Sequence, residues 1–487
     1  MIEAMAGTRA DAVADPGSFR DPSGHVFHVG NRVLRTINGE AAEHFDFVRG
    51  SGFLEQPGVA GRVIESRMAS VHELGPLGTT ARYVVEHPRV PFISYPYEWC
   101  FSALKAAALL QLDLHIQALE RGITMSDASA YNIQFIGPRP VFIDILSFRR
   151  YRPGEHWVGQ QQFCEQFLNP LLLRALLGVP HNAWYRGNIE GIPTIELARL
   201  LPWHRRLSWI VMTYVVLNAR LQEAQFARRR KKAGKGRVRS LSPVSFRAML
   251  VQLRNFIAKL RPAGAKATAW GDYPETHSYA PGEKAAKTAF VSRFIEVVRP
   301  NLVWDLGCNT GDYAVVALNA GARRVVGFDF DQAALETAFR RASEQQLDFL
   351  PLFLDAANPS PQQGWRQGER RGLAQRANAD ALIALAFEHH LAIGRNVPID
   401  QLVDWLVGLA PQGVIEFVPK SDPMIQLMLA HRDDIFVDYT EEAFVGAIGR
   451  RARIIATEQV SAAGRKLSGT TGAEVAAGKF ERLIGRG

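Results

Sequence analysis

The feature that most constrains the fold is the passage from the apolar run NLVWDL (301–306) into GCNTGDY (307–313) and then into a helical stretch. The apolar run is typical of a buried strand, and a helical pattern begins directly after the glycine-bearing turn. Small residues let the backbone of such a turn approach a ligand, and the free amides at the helix start face it. The sequence therefore predicts a nucleotide-cofactor loop between a strand and a helix.

Strand and helix patterns alternate over residues 263–487, which predicts a parallel α/β sheet. The second strand, RVVGFD (324–329), ends in Asp329, where an acid can accept hydrogen bonds from both ribose hydroxyls. The third strand, FLPLFLD (349–355), ends in Asp355, which is suitably placed to contact an adenine ring. We therefore expect two acids to lie beside the loop at one edge of the sheet.

The charge of the turn discriminates between cofactors. Asp305 lies two residues before the first glycine and Asp312 follows the last, and the turn lacks the G-x-G-x-x-G fingerprint of dinucleotide sites. Two carboxylates would repel a pyrophosphate, whereas they attract the ammonium and sulfonium groups of S-adenosyl-L-methionine. The sequence therefore predicts S-adenosyl-L-methionine rather than NAD.

The run D-L-G-C-N-T-G (305–311) resembles motif I of class I S-adenosylmethionine-dependent methyltransferases, with Asn309 in place of the usual middle glycine. The resemblance covers residues 270–460 in element order, and it implies a Rossmann-like, doubly wound sheet of about seven strands. It also implies that the motif I acid lies near the methionine moiety, the loop beneath it, the second-strand acid at the ribose and the third-strand acid at the adenine. The cofactor residues carried over by position are Asp305, Gly307, Asn309, Gly311, Asp329, Asp355 and Ala356.

A second stretch narrows the resemblance. The segment PKSDPMIQLMLAHRDDIFVDYTEEAF (419–444), with the upstream W-x-x-Y (270–273), resembles bacterial methyltransferase-like proteins of the nodulation protein NoeA group. That resemblance implies a methyltransferase and does not fix its acceptor. Trp270, Tyr273 and Tyr279 either stack on a sulfonium or adenine or pack in the core, and the sequence leaves both alternatives open.

The acceptor side of such a fold lies at the carboxyl ends of the fourth and fifth strands. The fourth strand, ADALIALA (379–386), is followed after Phe387 by Glu388, His389 and His390, our candidates for a general base or an acceptor-orienting group. The alternative is a structural role in which the histidines bind carbonyl groups.

The fifth strand, GVIEFVP (413–419), ends at Lys420-Ser421-Asp422, which we expect to shape the acceptor pocket. Neither N-P-P-Y nor D-P-P-Y follows the fourth strand, which disfavours amino-methylation of adenine or glutamine. No cysteine lies beyond Cys308, so covalent catalysis at a pyrimidine carbon lacks its usual nucleophile. No metal-ligand cluster stands out, so no metal is predicted. Methyl transfer to oxygen or nitrogen of an unidentified acceptor is the predicted reaction.

The N-terminal half carries one pattern with chemical meaning, LERGITMSDASAYNIQFIGPRPVFIDILSF (119–148). Asp127 and Asn132 are five residues apart, and Asp144 follows twelve residues later, after two strand-like runs. The pattern resembles the catalytic loop and metal-binding segment of protein-kinase-like phosphotransferases. The resemblance implies that Asp127 orients a hydroxyl group and that Asn132 and Asp144 hold magnesium.

The same half departs from that family in several places. It has no glycine-rich phosphate loop, the motifs read M-S-D and D-I-L rather than H-R-D and D-F-G, and near the strand expected to carry a lysine the basic residue is an arginine, Arg35. Residues 24–37 are predicted as a hairpin, 92–99 as a hinge and 104–122 as a helix. A degenerate, non-catalytic scaffold is the favoured interpretation, and a live kinase and a helical accessory domain are the alternatives.

A chain of 487 residues suits two or three domains. We divide it into an α+β, kinase-like N-terminal domain (1–205), a helical connector (206–262) and a methyltransferase domain (263–487). In the connector, Ser242-Pro243 is predicted to begin a helix whose apolar stripe, ending at Leu260, packs against one domain.

Most of the net charge of +9 lies in the connector, where FARRRKKAGKGRVR (226–239) holds eight basic residues and no acid. A solvated linker is the favoured interpretation. The alternative is an arm that binds RNA, DNA or an anionic membrane surface, which would make the protein a nucleic-acid methyltransferase in the first two cases. A third function is a kinase-like regulatory or bifunctional protein whose methyltransferase fold senses the cofactor.

The three scattered cysteines, Cys100, Cys164 and Cys308, indicate a reducing compartment and hence a cytoplasmic protein. The first seventeen residues include acids and no apolar core, so a signal peptide is not expected. The longest apolar run, 207–217, is too short to span a membrane.

Overall fold

The computed structural model describes residues 12–230, 240–263, 281–430 and 432–472. The first described residues form a five-stranded antiparallel sheet and one helix. Its elements are β1 (Ala12–Ala14), β2 (Val26–Val29), β3 (Arg32–Asn38), α1 (Gly39–Gly50), β4 (Arg67–Ala69) and β5 (Ala81–His87). The strand order is β1-β2-β3-β5-β4. The hairpin predicted at 24–37 is confirmed, because β2 pairs with β3 in a register that places Val26 opposite Arg35.

A long buried helix and two small antiparallel strand pairs follow residues 92–99. They are α2 (Phe101–Leu119), β6 (Ile123–Met125), β7 (Ile133–Ile136), β8 (Arg139–Phe142) and β9 (Phe148–Arg150), with β6 paired to β9 and β7 to β8. The β7–β8 hairpin brings the residues at its two ends together, and the Ile143 amide donates to the Asn132 carbonyl at 2.8 Å. The predicted pair of strands between Asn132 and Asp144 is thereby confirmed.

The remaining N-terminal segment is helical. Its helices are α3 (Gln160–Phe163), α4 (Asn169–Leu177), α5 (Asn182–Gly187), α6 (Thr194–Leu200), α7 (Trp209–Val211), α8 (Asn218–Arg230) and α9 (Pro243–Lys259). Short π-helical turns, Cys164–Leu168 and Met212–Leu217, join α3 to α4 and α7 to α8. Within the described ranges, no helix is both long and apolar enough to cross a bilayer.

The predicted start of α9 is confirmed. The Ser242 side chain accepts a hydrogen bond from the Ser245 amide at 3.1 Å, which is the arrangement expected of a helix N-cap. The buried face of α9, which includes Phe246 and Ile257, packs against α2, and Arg254 Nε lies 2.9 Å from Asp113 Oδ1 of that helix. The connector helix is therefore attached to the N-terminal half.

The C-terminal half is built on a seven-stranded sheet. Its elements are α10 (Pro281–Val298), β10 (Leu302–Leu306), α11 (Asp312–Asn319), β11 (Arg324–Asp329), α12 (Gln332–Glu344), β12 (Phe349–Phe353), β13 (Ala381–Ala384), α13 (Glu388–Ala392), α14 (Ile399–Leu409), β14 (Gln412–Phe417), α15 (Pro423–Leu429), α16 (Glu441–Gly449), β15 (Arg453–Gln459) and β16 (Lys466–Thr471). The order is β12-β11-β10-β13-β14-β16-β15; β16 runs antiparallel to both β14 and β15, and the other neighbouring pairs are parallel.

This topology positions the predicted loop. Every residue of β10 is buried, as is typical of a parallel strand covered on both faces. From β10 the chain extends the sheet in one direction through β11 and β12 and then in the other through β13 and β14. Ligands of open α/β sheets bind at the carboxyl edge of the strands where the order reverses. The glycine turn after β10 lies at that position.

The two halves pack against each other through a continuous apolar core. Phe92, which precedes α2, packs edge-on against Trp304 and Phe328, with its ring centroid 5.6 and 5.9 Å from theirs. Glu98 and Arg376 form a buried ion pair across the same contact. Because Trp304 and Phe328 each precede an acid of the predicted cofactor site, the N-terminal half supports the strands that carry that site.

Candidate functional site

The turn after β10 has a backbone that requires small residues. Gly307, Asn309 and Gly311 have positive φ angles of 74°, 47° and 85°. A Cβ atom at Gly311 would lie 2.5 Å from Cε1 of Phe349, so a side chain there would force the loop away from the sheet. Asparagine tolerates the left-handed conformation better than most residues, which explains its presence in the middle of the turn.

Asp329, at the end of β11, holds this turn in place. Its Oδ2 accepts a hydrogen bond from the Asn309 amide at 2.8 Å, and its Oδ1 accepts one from the Asp331 amide at 2.8 Å. Burial raises the pKa of the Asp329 carboxyl, and these backbone bonds oppose the rise. Because each carboxylate oxygen can accept more than one hydrogen bond, the group retains capacity for two ligand hydroxyls.

Asp305, the penultimate residue of β10, is buried, with 3% of the residue exposed. Among the residues that the structure describes, its Oδ2 has no hydrogen-bond partner. Burial, followed by the neighbouring charges of Asp329 and Asp312, raises its pKa to about 8. A buried carboxyl without a partner is costly unless it is neutral or faces a cation. The Oδ1 atom of Asn309 is likewise buried and unpaired within the described ranges. These atoms fit a ligand that carries an ammonium group.

A pH series tests the environment of Asp305. Its folded pKa of about 8 lies above its ordinary value of 3.8, so the folded state binds more protons between those limits and loses stability as the pH rises through them. Asp305→Asn cannot ionise. We expect the free energy of unfolding of the variant, compared with that of the cofactor-free wild type, to increase steadily as the pH rises from about 5 to about 8. Above that pH the difference should stay constant. Urea unfolding at pH 5, 7 and 9 measures it; a difference that does not change with pH would contradict this environment.

The structure changes the electrostatic role expected of Asp312. Although burial alone would raise its pKa, hydrogen bonds from Lys284 and Arg341 hold it below the usual value. The Lys284 Nζ and Arg341 Nη1 atoms lie 2.7 and 2.6 Å from its two carboxylate oxygens. Two cations therefore compensate Asp312, which leaves Asp305 and Asp329 as the carboxyl groups of the turn that can face a cationic ligand. The sequence placed Asp312 beside the turn but could not show these partners.

Asp355 and Ala356 follow β12 at the same edge of the sheet. Asp355 is half-buried, and its Oδ1 accepts a hydrogen bond from the Ala357 amide at 3.2 Å. Arg395 Nη2 lies 4.0 Å from the same oxygen. The carboxylate is therefore partly accessible, next to the strand end that carries Asp329.

Glu388 and His389, after β13, are buried in a hydrogen-bond network. Glu388 Oε1 accepts from the Val418 amide at 2.8 Å and from the Tyr439 hydroxyl at 2.7 Å, and its Oε2 lies 3.3 Å from His389 Nδ1. Although burial alone would raise its pKa, the hydrogen bonds and charge of His389, with those of Tyr439 and Val418, lower it. The Glu388–Val418 hydrogen bond therefore connects the turn after β13 to the end of β14.

His390 is the half-exposed member of the predicted catalytic set. Burial, and then the charge of the adjacent His389, lowers its pKa to about 3, and the two rings lie 4.2 Å apart. A neutral imidazole with so low a pKa is a weak base near pH 7 but can still orient a substrate by hydrogen bonding. Catalysis by Glu388, His389 or His390 stays a prediction.

The three residues after the fifth strand connect loops to one another. Lys420 Nζ lies 2.8 Å from both carboxylate oxygens of Asp434, and the Ser421 hydroxyl donates to the Ala463 carbonyl at 3.2 Å. Asp422 is buried and pairs with Arg465 at 2.6 Å. These contacts shape the edge of the sheet on the predicted acceptor side.

Sequence reasoning missed a buried ionic cluster beside the same strand ends. Lys287 Nζ of α10 lies 2.8 Å from Glu416 Oε1 and 3.1 Å from Glu283 Oε1, and both Lys287 and Glu416 are almost fully buried. Arg465 extends the cluster, with Nη1 3.7 Å from Glu416 Oε1. The available signal was the single acid inside the apolar strand GVIEFVP (413–419), because an isolated charge in a buried strand requires a partner.

The predicted kinase-like residues also lie together. Asn132 Nδ2 donates to Asp127 Oδ2 at 3.0 Å and to Asp144 Oδ2 at 3.3 Å. Burial, and then the charge of Asp144, raises the pKa of Asp127. Arg35, on β3, places Nη1 2.7 Å from Asp144 Oδ1, so a guanidinium group occupies one side of that carboxylate. The described ranges contain no group of three or more His, Cys, Asp or Glu side chains that could hold a metal ion.

Several predicted residues lie beyond what the structure describes. Trp270, Tyr273 and Tyr279 are outside the described residues, as are 231–239 of the basic stretch, and for 226–230 only the backbone is described, as the end of α8. Their proposed roles stay predictions. The three cysteines are all buried and free.

The strand order, with β16 antiparallel at one side, and the glycine turn at its switch point define the C-terminal half as a domain of the class I methyltransferase fold. The chain belongs to the family of the nodulation protein NoeA. It is 46% identical to Nodulation protein NoeA of Rhizobium meliloti (strain 1021) over 441 residues, which cover 90% of this chain and 92% of that protein. No protein-family model matches the sequence.

Solved structures give weaker likenesses. The N-methyltransferase NodS from Bradyrhizobium japonicum WM9, solved with S-adenosyl-L-homocysteine, is 12% identical over 40% of this chain and 89% of its own, with a TM-score of 0.30. The bifunctional kinase-methyltransferase WbdD is 20% identical over 38% of this chain and 39% of its own, with a TM-score of 0.28. At these scores the fold assignment rests on the strand order and the turn.

Proposed function

We propose that this chain is an S-adenosyl-L-methionine-dependent methyltransferase that acts on oxygen or nitrogen of an acceptor yet to be identified. The observation that carries the proposal is the carboxyl oxygen of Asp305 beneath a glycine turn, which is buried and has no hydrogen-bond partner among the described residues. Such a site attracts a small cationic cofactor and disfavours a pyrophosphate bridge. Family membership supports the proposal through the class of fold and leaves the acceptor open.

Each cofactor residue has a role in the proposal. Asp305 and the Asn309 amide oxygen face the ammonium end of the cofactor. Gly307 and Gly311 keep the loop close to it, because neither places a side chain between backbone and ligand. Asp329 accepts the ribose hydroxyls while holding the loop through Asn309. Asp355, with Ala356, lies at the adenine.

The bound cofactor supplies an activated methyl group with a neutral leaving group. The protein then has chiefly to align the acceptor with that group and to exclude water. In the proposal His390 contacts the acceptor, since it retains exposed surface, and the buried Glu388–His389 pair fixes the turn that carries it.

Incubating the full-length protein with cell extract and isotopically labelled S-adenosyl-L-methionine tests the proposed reaction. We expect label to appear in one fraction of the extract with the wild type and to disappear with Asp305→Ala, which removes the ammonium partner. A wild type that binds the cofactor but labels no fraction would contradict a methyltransferase and would favour a cofactor-sensing role.

We propose that residues 1–205 form a degenerate, kinase-like scaffold that recognises the acceptor or regulates the reaction. The kinase-like part is supported by a five-stranded sheet with one inserted helix, by the buried helix α2 and by the Asp127–Asn132–Asp144 cluster. The Arg35–Asp144 ion pair supports the proposal that this scaffold is non-catalytic, because Arg35 binds the carboxylate that a magnesium ion would need.

The scaffold proposal predicts that the full-length protein does not bind ATP with Mg²⁺. Arg35 would have to leave Asp144 before a metal could approach, which would leave its guanidinium buried without that partner. Calorimetric titration with MgATP is the measurement, and we expect no saturable heat. Saturable binding that Asp144→Asn abolishes would instead establish a live phosphotransferase site.

We also propose the division into domains 1–205, 206–262 and 263–487, and a cytoplasmic location. The buried free thiols of Cys100, Cys164 and Cys308 suit a reducing compartment. Binding of nucleic acid or an anionic surface by 226–239 stays a prediction.

A further inference from the structure

The turn between β13 and α13 contains a strained residue. Ala386 has a positive φ of 48°, a conformation that costs an alanine free energy relative to the right-handed region. Such a conformation persists only where its surroundings impose it. The residues that contact Ala386 therefore determine whether it keeps this conformation.

The strained turn sets the position of Phe387. A Cβ atom at Gly307 would lie 3.2 Å from Phe387 Cδ2, so the aromatic ring lies directly over the first glycine of the cofactor loop. The ring also stacks on Trp405, with centroids 6.4 Å apart. A change in the turn would move the ring relative to the loop.

Glu416 holds the strained residue. Its Oε2 accepts a hydrogen bond from the Ala386 amide at 2.8 Å, and its side chain is fully buried. The parallel pairing of β13 with β14 places the two residues side by side, because Ala384 lies opposite Ile415. Lys287 Nζ, 2.8 Å from the other oxygen, compensates the buried charge. The pair thus links α10, the fifth strand and the turn.

We propose that Glu416, with Lys287 as its counter-ion, is a positioning residue that fixes the strained Ala386 turn and thereby holds Phe387 against the cofactor loop. This inference rests on the proposed cofactor site. Glu416 does not touch the cofactor in the proposal; it acts through the backbone of Ala386 and the ring of Phe387. Its effect therefore appears in cofactor affinity.

Two double variants separate the hydrogen bond from the charge. Lys287→Met with Glu416→Gln removes both charges but leaves an amide oxygen that can accept from Ala386. Lys287→Met with Glu416→Leu removes both charges and the acceptor. In both double variants Glu283 keeps Arg465 Nε at 3.8 Å, and Arg465 keeps Asp422 at 2.6 Å, so no buried charge of the cluster loses all its partners and the largest expected cost of a single substitution is avoided.

Calorimetric titration with S-adenosyl-L-homocysteine is the readout. We expect the glutamine variant to bind within about twofold of the wild type and the leucine variant to bind about tenfold more weakly, as for one buried hydrogen bond lost. Equal affinities for the two double variants would overturn the proposal. A wild type that does not bind the ligand at all would instead refute the cofactor site itself.

A third set of variants tests whether Glu416 acts through Phe387. Phe387→Ala alone should weaken binding, and adding the leucine double variant to it should weaken binding no further, because the ring is already gone. Additive losses would contradict action through the ring. The melting temperature of each variant is measured as well. Affinities are compared only among variants that fold, so a merely less stable leucine variant can still be used.

Discussion

Asp329→Ala is expected to weaken the binding of S-adenosyl-L-homocysteine by about 100-fold, equivalent to two hydrogen bonds to a carboxylate at about 1.5 kcal/mol each. The carboxylate is expected to contact both ribose hydroxyls, and it also holds the cofactor loop through the Asn309 amide at 2.8 Å. The substitution therefore removes ligand contacts and loosens the loop at once. Calorimetric titration of the full-length variant measures the loss.

Asp348→Ala is the matched control for that variant. Asp348 is a carboxylate just before β12, and it pairs with Arg324 at 3.0 Å at the amino end of the strands, on the opposite edge of the sheet. We expect its ligand affinity to stay within about twofold of the wild type. If Asp329→Ala binds as tightly as this control, the ribose role of Asp329 is wrong.

The second large effect concerns the contact between the two halves. Glu98→Ala is expected to lower the free energy of unfolding by about 3–5 kcal/mol, because it leaves the buried Arg376 without its counter-ion. Arg376 Nη1 lies 2.9 Å from Glu98 Oε2, and its guanidinium lies over the rings of Phe92 and Tyr95. The cation is therefore enclosed and cannot easily reach water. Urea unfolding measures the loss.

Two further variants complete that experiment. Glu98→Leu combined with Arg376→Met removes both charges and should recover most of the lost stability. Glu86→Ala, which breaks an exposed pair with Arg32, should cost less than about 1 kcal/mol. A loss from Glu98→Ala as small as that from Glu86→Ala would show that the two halves do not depend on this contact.

Much of the fold follows from local patterns. The buried strand 302–306, the turn after it and the acids at 329 and 355 were predictable because parallel strands are apolar throughout and end in polar residues at one edge. The helix from Pro243 was predictable from its N-cap serine and its apolar spacing. Each of these signals lies within a short stretch of chain.

The ionic contacts of the site were not predictable in that way. Lys287 and Glu416 are far apart in the sequence, and neither belongs to a motif, so only the packed structure shows that they pair. The neutralisation of Asp312 by Lys284 and Arg341 has the same origin. The strain at Ala386 depends on a neighbouring strand and has no local signature.

The choice of cofactor is the central claim, and parallel calorimetric titrations of the full-length protein with S-adenosyl-L-methionine and with NAD⁺ test it most directly. Asp305, a buried acid at the turn whose Oδ2 has no partner within the described ranges, predicts saturable, one-to-one binding of the methyl donor and no binding of the dinucleotide. Saturable binding of NAD⁺, with no heat from the methyl donor, would contradict the account.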